Sequence, residues 1–190
     1  IESLSADEGD DADDEIVDAL PGDPVSRTGD LWMLGDHRVY CGNALDPLAY
    51  EKLMGSERAE MVFTDPPYNL AIKGIAGRGR RRHQEFQAAS GEMTKPAFTH
   101  FLTSAFALMA KNSTDGSIHY ICMDWRHLAE IGAAITASYS QLLNVAVWAK
   151  PAGGMGSFYR SAHEFVFVAK NGGGRHRNNI PLGKYGRTRT

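Results

Sequence analysis

The run "EMVFT" at 60–64 leads straight into Asp65-Pro66-Pro67-Tyr68. That junction constrains the fold more than any other part of the chain. A proline has no amide hydrogen to donate and its ring fixes φ, so two in succession continue neither a strand ladder nor a helix interior. The apolar run is too short for a helix and ends in residues that favour strands. A buried strand therefore stops at Thr64, and Asp65 to Tyr68 form a rigid turn beyond its carboxyl end. This tetrapeptide arises by chance in about one chain in a thousand of this length.

The surrounding pattern says what kind of sheet that strand joins. "LWML" (31–34) and "RVYC" (38–41) flank Gly35-Asp36-His37 and predict a hairpin. "GNALDPLAYEKLMG" predicts a helix with Asp46 as N-cap, Pro47 at the first helical position and Gly55 past the end. Residues 71–93 are polar and without period, as in a functional loop. Phe98, Phe101, Leu102, Ala105, Phe106 and Met109 fall at helical spacing and predict an amphipathic helix over about 95–110. "SIHYIC" (117–122) reads as a strand, and Asp124 caps a further helix over about 125–138. "LLNVAVWAK" (142–150) and "HEFVFVAK" (163–170) read as two strands joined by a glycine-rich loop. Strands alternating with helices predict an α/β fold, with a mostly parallel sheet that ends in an antiparallel edge hairpin.

Charge divides the chain. Residues 1–30 hold eleven Asp and Glu against one Arg, a net charge of −10, whereas residues 31–190 carry +7. The acidic part lacks the apolar content to fold and is expected to be a disordered linker. The basic part, 31–190, reads as a domain suited to a polyanionic partner. Cys41 and Cys122 are the only cysteines. Two isolated thiols build neither a disulfide framework nor a zinc site, so a cytoplasmic setting and no metal are expected. The chain begins at Ile1 within the acidic stretch and stops at "KYGRTRT". It is therefore expected to be a segment of a longer protein.

The turn has a chemistry of its own. In open α/β sheets, ligands bind beyond the carboxyl ends of the strands. There Asp65 offers a carboxylate, Pro66 a carbonyl aimed by rigid neighbours, and Tyr68 a flat ring. Two acceptors beside an aromatic platform suit a planar ring that bears an amine. Such an amine is a poor nucleophile because its lone pair is delocalised. Acceptors on its hydrogens favour a pyramidal nitrogen whose lone pair can attack an electrophilic methyl group. A base inside a duplex has to be flipped out to reach such a pocket.

With those residues in view, "TDPPYN" (64–69) resembles motif IV of the DNA amino-methyltransferases, in the form typical of adenine-N6 methylation. The resemblance covers most of 31–190 and places the chain with the circularly permuted β class. It implies S-adenosylmethionine as methyl donor, DNA as partner, and Asp65, Pro66, Pro67 and Tyr68 as the catalytic turn. "CGNALD" (41–46) looks like the segment that contacts the adenosine of the cofactor, which implies that Asn43 and Ala44 bind it together with Asp65. The family often has Gly-Asp where this chain has Gly42-Asn43, and asparagine still offers polar contacts to adenine. "GSIHYICMDW" (116–125) resembles the next strand. "VWAKPAGGMGSFYRSAHEFVFVAKNG" (147–172) resembles the late strands of a subgroup often fused to a ParB-like domain.

One departure is large. The glycine-rich motif I of that class lies C-terminal to all these segments, and this chain has no such sequence. The family sheet order is 3-2-1-4-5-7-6, so strands 1 and 2 are expected to be missing. "RVYC", as strand 3, should lose its sheet neighbours, and the fragment should be inactive alone. Its partners would be DNA, the missing C-terminal half of the catalytic domain, and a second copy if the protein is a homodimer. Arg78, Arg80, Arg81 and Arg82 in the loop, and Tyr159 and Arg160 before the last strand, are candidate DNA contacts. His163-Glu164 reads as a structural ion pair or hydrogen bond. Trp148 and Lys150 read as sheet packing with a lysine stem along it. Two rivals stay open: a relative acting on cytosine-N4, RNA or a protein amide, and a non-catalytic DNA-binding or partition-type protein.

Overall fold

The computed structural model describes residues 25–71, 88–151 and 158–178. The acidic segment up to residue 24, the arginine run at 77–83 and the end of the basic tail lie outside them.

Strands β1 (Leu31–Leu34) and β2 (His37–Tyr40) form an antiparallel hairpin, Leu31 pairing with Tyr40 and Leu34 with His37. Gly35 turns it at φ 61°, a left-handed conformation that glycine adopts without strain. Helix α1 (Pro47–Met54) starts as its sequence directs. The Asp46 carboxylate accepts from the Leu48 amide at 3.0 Å, and the Gly55 amide donates back to the Glu51 carbonyl at 2.9 Å. Arg38 donates to the Leu53 carbonyl at 3.0 Å, tying the hairpin to the end of α1.

Strand β3 (Ala59–Thr64) follows, then helix α2 (Lys95–Lys111), strand β4 (Ser113–Met123), helix α3 (Leu128–Ser138), and strands β5 (Gln141–Ala149) and β6 (His163–Lys170). The sheet order is β3-β4-β6-β5. β3 runs parallel to β4, and β6 is antiparallel to both β4 and β5. The expected edge hairpin is therefore present, with its return strand β6 folded inside and β5 on the edge. This is the 4-5-7-6 portion of the order that the resemblance implies. β2 pairs with β1 in a separate two-stranded sheet, as expected for a strand without its neighbours.

Two boundaries differ from the sequence reading. β4 starts at Ser113, ahead of its apolar pattern. Tertiary bonds recruit the polar "STDGS": the Gly116 amide donates to the Asn171 carbonyl at 2.8 Å and the Asn171 amide to the Ser117 carbonyl at 3.0 Å. Asp124 caps a short 3₁₀ turn, Trp125–His127, which leads into α3. Its carboxylate takes the Arg126 amide at 3.1 Å, the Arg126 guanidinium at 2.7 Å and His127 Nδ1 at 3.0 Å.

The core lies between one face of the sheet and the two long helices. Phe98, Leu102 and Phe106 line α2 at four-residue spacing and meet Ile131, Ala134 and Ile135 of α3. The sheet contributes Ile121 and Met123 of β4 with Phe167 and Ala169 of β6. Each of the large side chains here contributes about 2 kcal/mol of burial. Alternation puts the other side chains on the opposite face, where Met61 and Phe63 are 60% and 61% exposed. His119 is fully buried on the core side. Its ring bonds the Tyr139 hydroxyl at 2.9 Å and faces Ser117 Oγ at 3.3 Å. Among the described residues no helix is long and apolar enough to cross a membrane.

Candidate active site

Strand direction assembles one end of the sheet. β3, β4 and β5 finish there and antiparallel β6 begins there. The register pairs Thr64 with Ile121, Met123 with Phe165, and Ala149 with His163. Asp65, Asp124, Lys150 and Glu164 therefore gather along one rim, although they come from four separate strands.

Tyr68 is the centre of that rim. Its ring is half-buried and packs against the core. Its hydroxyl donates to Glu164 Oε2 at 3.3 Å. The other oxygen of Glu164 takes the Lys150 ammonium, which also lies 5.5 Å from the centre of the Trp148 ring. Burial raises the Tyr68 phenol far above its ordinary range, and the neighbouring carboxylates of Asp65 and Glu164 push the same way. The phenol is therefore neutral at any working pH. Cys122, on β4 beneath, is raised by burial and by the same two carboxylates, with Lys150 opposing them.

Asn69 holds the turn in place. It sits at φ 52°, which asparagine tolerates better than most residues. Its Oδ1 accepts from the Gly91 and Met93 amides, each at 3.1 Å, and its Nδ2 donates to the Met93 carbonyl at 2.9 Å. The last residue of "TDPPYN" thus clamps the turn to the segment that leads into α2. That segment is braced in turn: Glu92 accepts from the Ala89 amide at 2.6 Å and the Ser90 amide at 2.5 Å. Hydrogen bonds from its own amide first, then from Ser90 and Ala89, lower the Glu92 carboxyl below its ordinary range, against a desolvation penalty that raises it.

The other candidates fall in two further places. A cavity of about 180 Å³ is lined by Tyr40, Gly42, Asn43, Ala44, Ala49, Tyr50 and Leu53. A side chain at Gly42 would meet the Tyr40 ring at 2.3 Å, so glycine lets that ring fold over the wall. Asn43 Oδ1 is engaged, accepting from the Leu45 amide at 2.9 Å, and the Ala44 carbonyl accepts from the Tyr50 hydroxyl at 3.0 Å. Tyr159, 88% exposed, and Arg160 precede β6 at the active-site end, with Phe158 edge-on to Tyr159 at 4.4 Å between ring centres. Arg78, Arg80, Arg81 and Arg82 lie outside the described residues.

Sequence reasoning placed Asp65 to Tyr68 correctly at a strand end but gave Asn69 no task. It read Glu164 as a structural partner and Lys150 as packing. Glu164 does form an ion pair, with Lys150, and it accepts from the Tyr68 hydroxyl, whereas Trp148 is more than half exposed rather than packed. The signal for Glu164 was available in part: an acidic residue at the head of a strand that runs back toward the turn.

The arrangement is a carboxylate and a fixed carbonyl beside an aromatic ring whose hydroxyl is anchored from behind. No curated protein matches the chain in sequence. The family model described as DNA methylase, for N6 and N4 methyltransferases, matches residues 59–186, from the start of β3 through the whole of the sheet. The match spans the Asp65–Tyr68 turn, Glu164 and both long helices, and the chain belongs to the DNA methylase family.

Proposed function

We propose that this chain supplies the base-accepting half of a methyltransferase site that moves a methyl group from S-adenosylmethionine to the N6 amine of an adenine flipped out of DNA. The observation that carries the reading is the rim: Asp65 and Pro66 stand beside Tyr68 at the carboxyl end of β3. Asp65 and the Pro66 carbonyl accept from the amine and pyramidalise it, while Tyr68 stacks on the base. When bound, the cofactor supplies the electrophilic methyl group. Asp65, rather than the serine or asparagine more common in cytosine-N4 and protein-amide relatives, favours adenine.

The cavity beside Asn43 and Ala44 fits the cofactor in part. Two tyrosines with Ala49 and Leu53 suit a flat ring. Its volume is below the ~300 Å³ of an ordinary small-molecule site, which leaves room for one end of the cofactor only. The residues for the methionine end belong to the glycine-rich motif absent from this chain, so the segment alone is inactive and the complete protein is the methylase. The β class, a ParB-like neighbour and a homodimer belong to the same reading. DNA is held by Arg78, Arg80, Arg81 and Arg82, with Tyr159 and Arg160 contributing at the rim. Contacts to phosphate make the affinity fall with salt.

The test uses the full-length protein that contains this chain, S-adenosylmethionine and unmethylated genomic DNA. Methylated nucleosides are counted by mass spectrometry after digestion. N6-methyladenine is expected from the wild type and none from Asp65→Ala, with nonspecific DNA binding retained. N4-methylcytosine would replace the substrate, and methylation by Asp65→Ala would remove Asp65 from the mechanism.

A further inference from the structure

The Tyr68 hydroxyl has one proton and two carboxylates within reach. Glu164 takes it at 3.3 Å, long for an O–H···O bond, and Asp65, in the same turn, is the second carboxylate whose charge acts on the phenol. The two carboxylates are not equivalent. Asp65 needs its lone pairs for the incoming amine, because its acceptor strength sharpens the nucleophile. A proton donated to it by Tyr68 occupies one of those sites and withdraws charge from the rest. Glu164 has no such task in the methyl transfer. Lys150 fixes it from the far side, so one oxygen is spoken for and the other is held toward Tyr68. Glu164 is also the second residue of β6, opposite Trp148 on β5, so its backbone is set by a strand pairing rather than by a loop.

From this geometry we propose that Glu164 is a positioning residue: it holds the Tyr68 hydroxyl turned away from Asp65, with Lys150 as its counter-ion. The inference rests on the methyl-transfer reading and adds to it the control of the acceptor. The ring of Tyr68 does the stacking, and its hydroxyl is a liability that Glu164 restrains. Tyrosine at this position therefore works only with an acceptor behind it.

The consequence separates this role from a merely structural one. Glu164→Gln keeps the shape but is a much poorer acceptor and loses Lys150. The Tyr68 hydroxyl then turns to Asp65, and kcat falls about tenfold, the effect of weakening one preorganised hydrogen-bonding group. Removing the hydroxyl should undo this. Tyr68→Phe in the Glu164→Gln background is expected to recover most of kcat, although it adds a second change at the site. The measurement is turnover by the full-length protein on unmethylated DNA, counting both N6-methyladenine and N4-methylcytosine. Thermal melts of each variant are run beside it.

A double variant no faster than Glu164→Gln overturns the inference, as does Glu164→Gln with wild-type kcat. A wild type that methylates neither base overturns the methyl-transfer reading and the inference together. If Glu164→Gln does not fold, Glu164→Asp serves in its place. It keeps the charge for Lys150 and withdraws the acceptor from Tyr68 by one methylene, and the same rescue by Tyr68→Phe is expected.

Discussion

Glu130 should be replaceable by methionine with a gain in stability. It is the third residue of α3, its side chain is 4% exposed, and neither carboxylate oxygen has a hydrogen-bond partner among the described residues. Among the described residues the nearest cation is Lys95 Nζ at 3.9 Å, on a side chain that is 85% exposed. A buried acceptor left without a partner costs about 1–3 kcal/mol. Two terms oppose this. A carboxylate in the first turn of a helix gains about 0.3–1 kcal/mol from the helix dipole. A pair with so exposed a lysine adds at most about 1 kcal/mol. Methionine matches glutamate in length and in helix propensity, and its flexible thioether fills an irregular gap. The balance favours Glu130→Met by about 1 kcal/mol, or roughly 2–4 °C in Tm for a domain of this size. Glu130→Gln should gain less, because its amide still requires partners. Circular dichroism melts, with urea titrations to check that the slope is unchanged, read the result. A fall in Tm for Glu130→Met would refute the reasoning and give the carboxylate a partner that matters.

Three further outcomes follow from the same coordinates. Burial holds the His119 imidazole down at about 4, so the folded state rejects a proton that the unfolded chain accepts near 6.5. Stability is then complete above that value and falls as pH drops toward 4, by roughly 3 kcal/mol in all; urea titrations at pH 7 and pH 5 read it, and His119→Gln should flatten the trend. Asn69→Ala loses three hydrogen bonds and keeps an unfavourable φ, a loss of about 2–4 kcal/mol. It should speed hydrogen exchange at the Gly91 and Met93 amides, and Asn69→Gly, which relieves only the backbone, should remain clearly less protected than the wild type. Gly116→Ala should destabilise, because at φ 83° its Cβ would lie 2.7 Å from the Arg175 carbonyl oxygen; unchanged melting would show that the segment around Arg175 moves aside.

Much of this was legible from local rules. Asp46, Pro47 and Gly55 bound α1 because capping is a matter of neighbouring residues. Phe98, Leu102 and Phe106 marked α2 because burial repeats with the helical turn. The double proline ended β3 because no partner strand can supply a hydrogen bond that proline does not offer. The resemblance carried the sheet order, and β3-β4-β6-β5 agrees with it.

What depended on distance in the chain was hidden. The start of β4 rests on Ala59, which pairs with Ser113, and on Asn171, which bonds Gly116 and Ser117; no local pattern announces a polar strand end held by segments so distant in the chain. The clamp of Asn69 on Gly91 and Met93 crosses a 22-residue gap. Nothing local marks Glu130 for burial; the packing of α2 beside α3 buries it. The sequence alone determined that a rigid carboxylate–carbonyl–aromatic turn stands at the end of a strand, because proline and alternation act on neighbours; the burial expected of that strand is not found, since β3 lies at the sheet edge with Met61 and Phe63 exposed. Only the tertiary structure decided that Glu164 and Lys150 stand behind Tyr68. Their approach depends on β6 running antiparallel beside β4, and strand pairing is a contact between segments that sequence proximity does not encode.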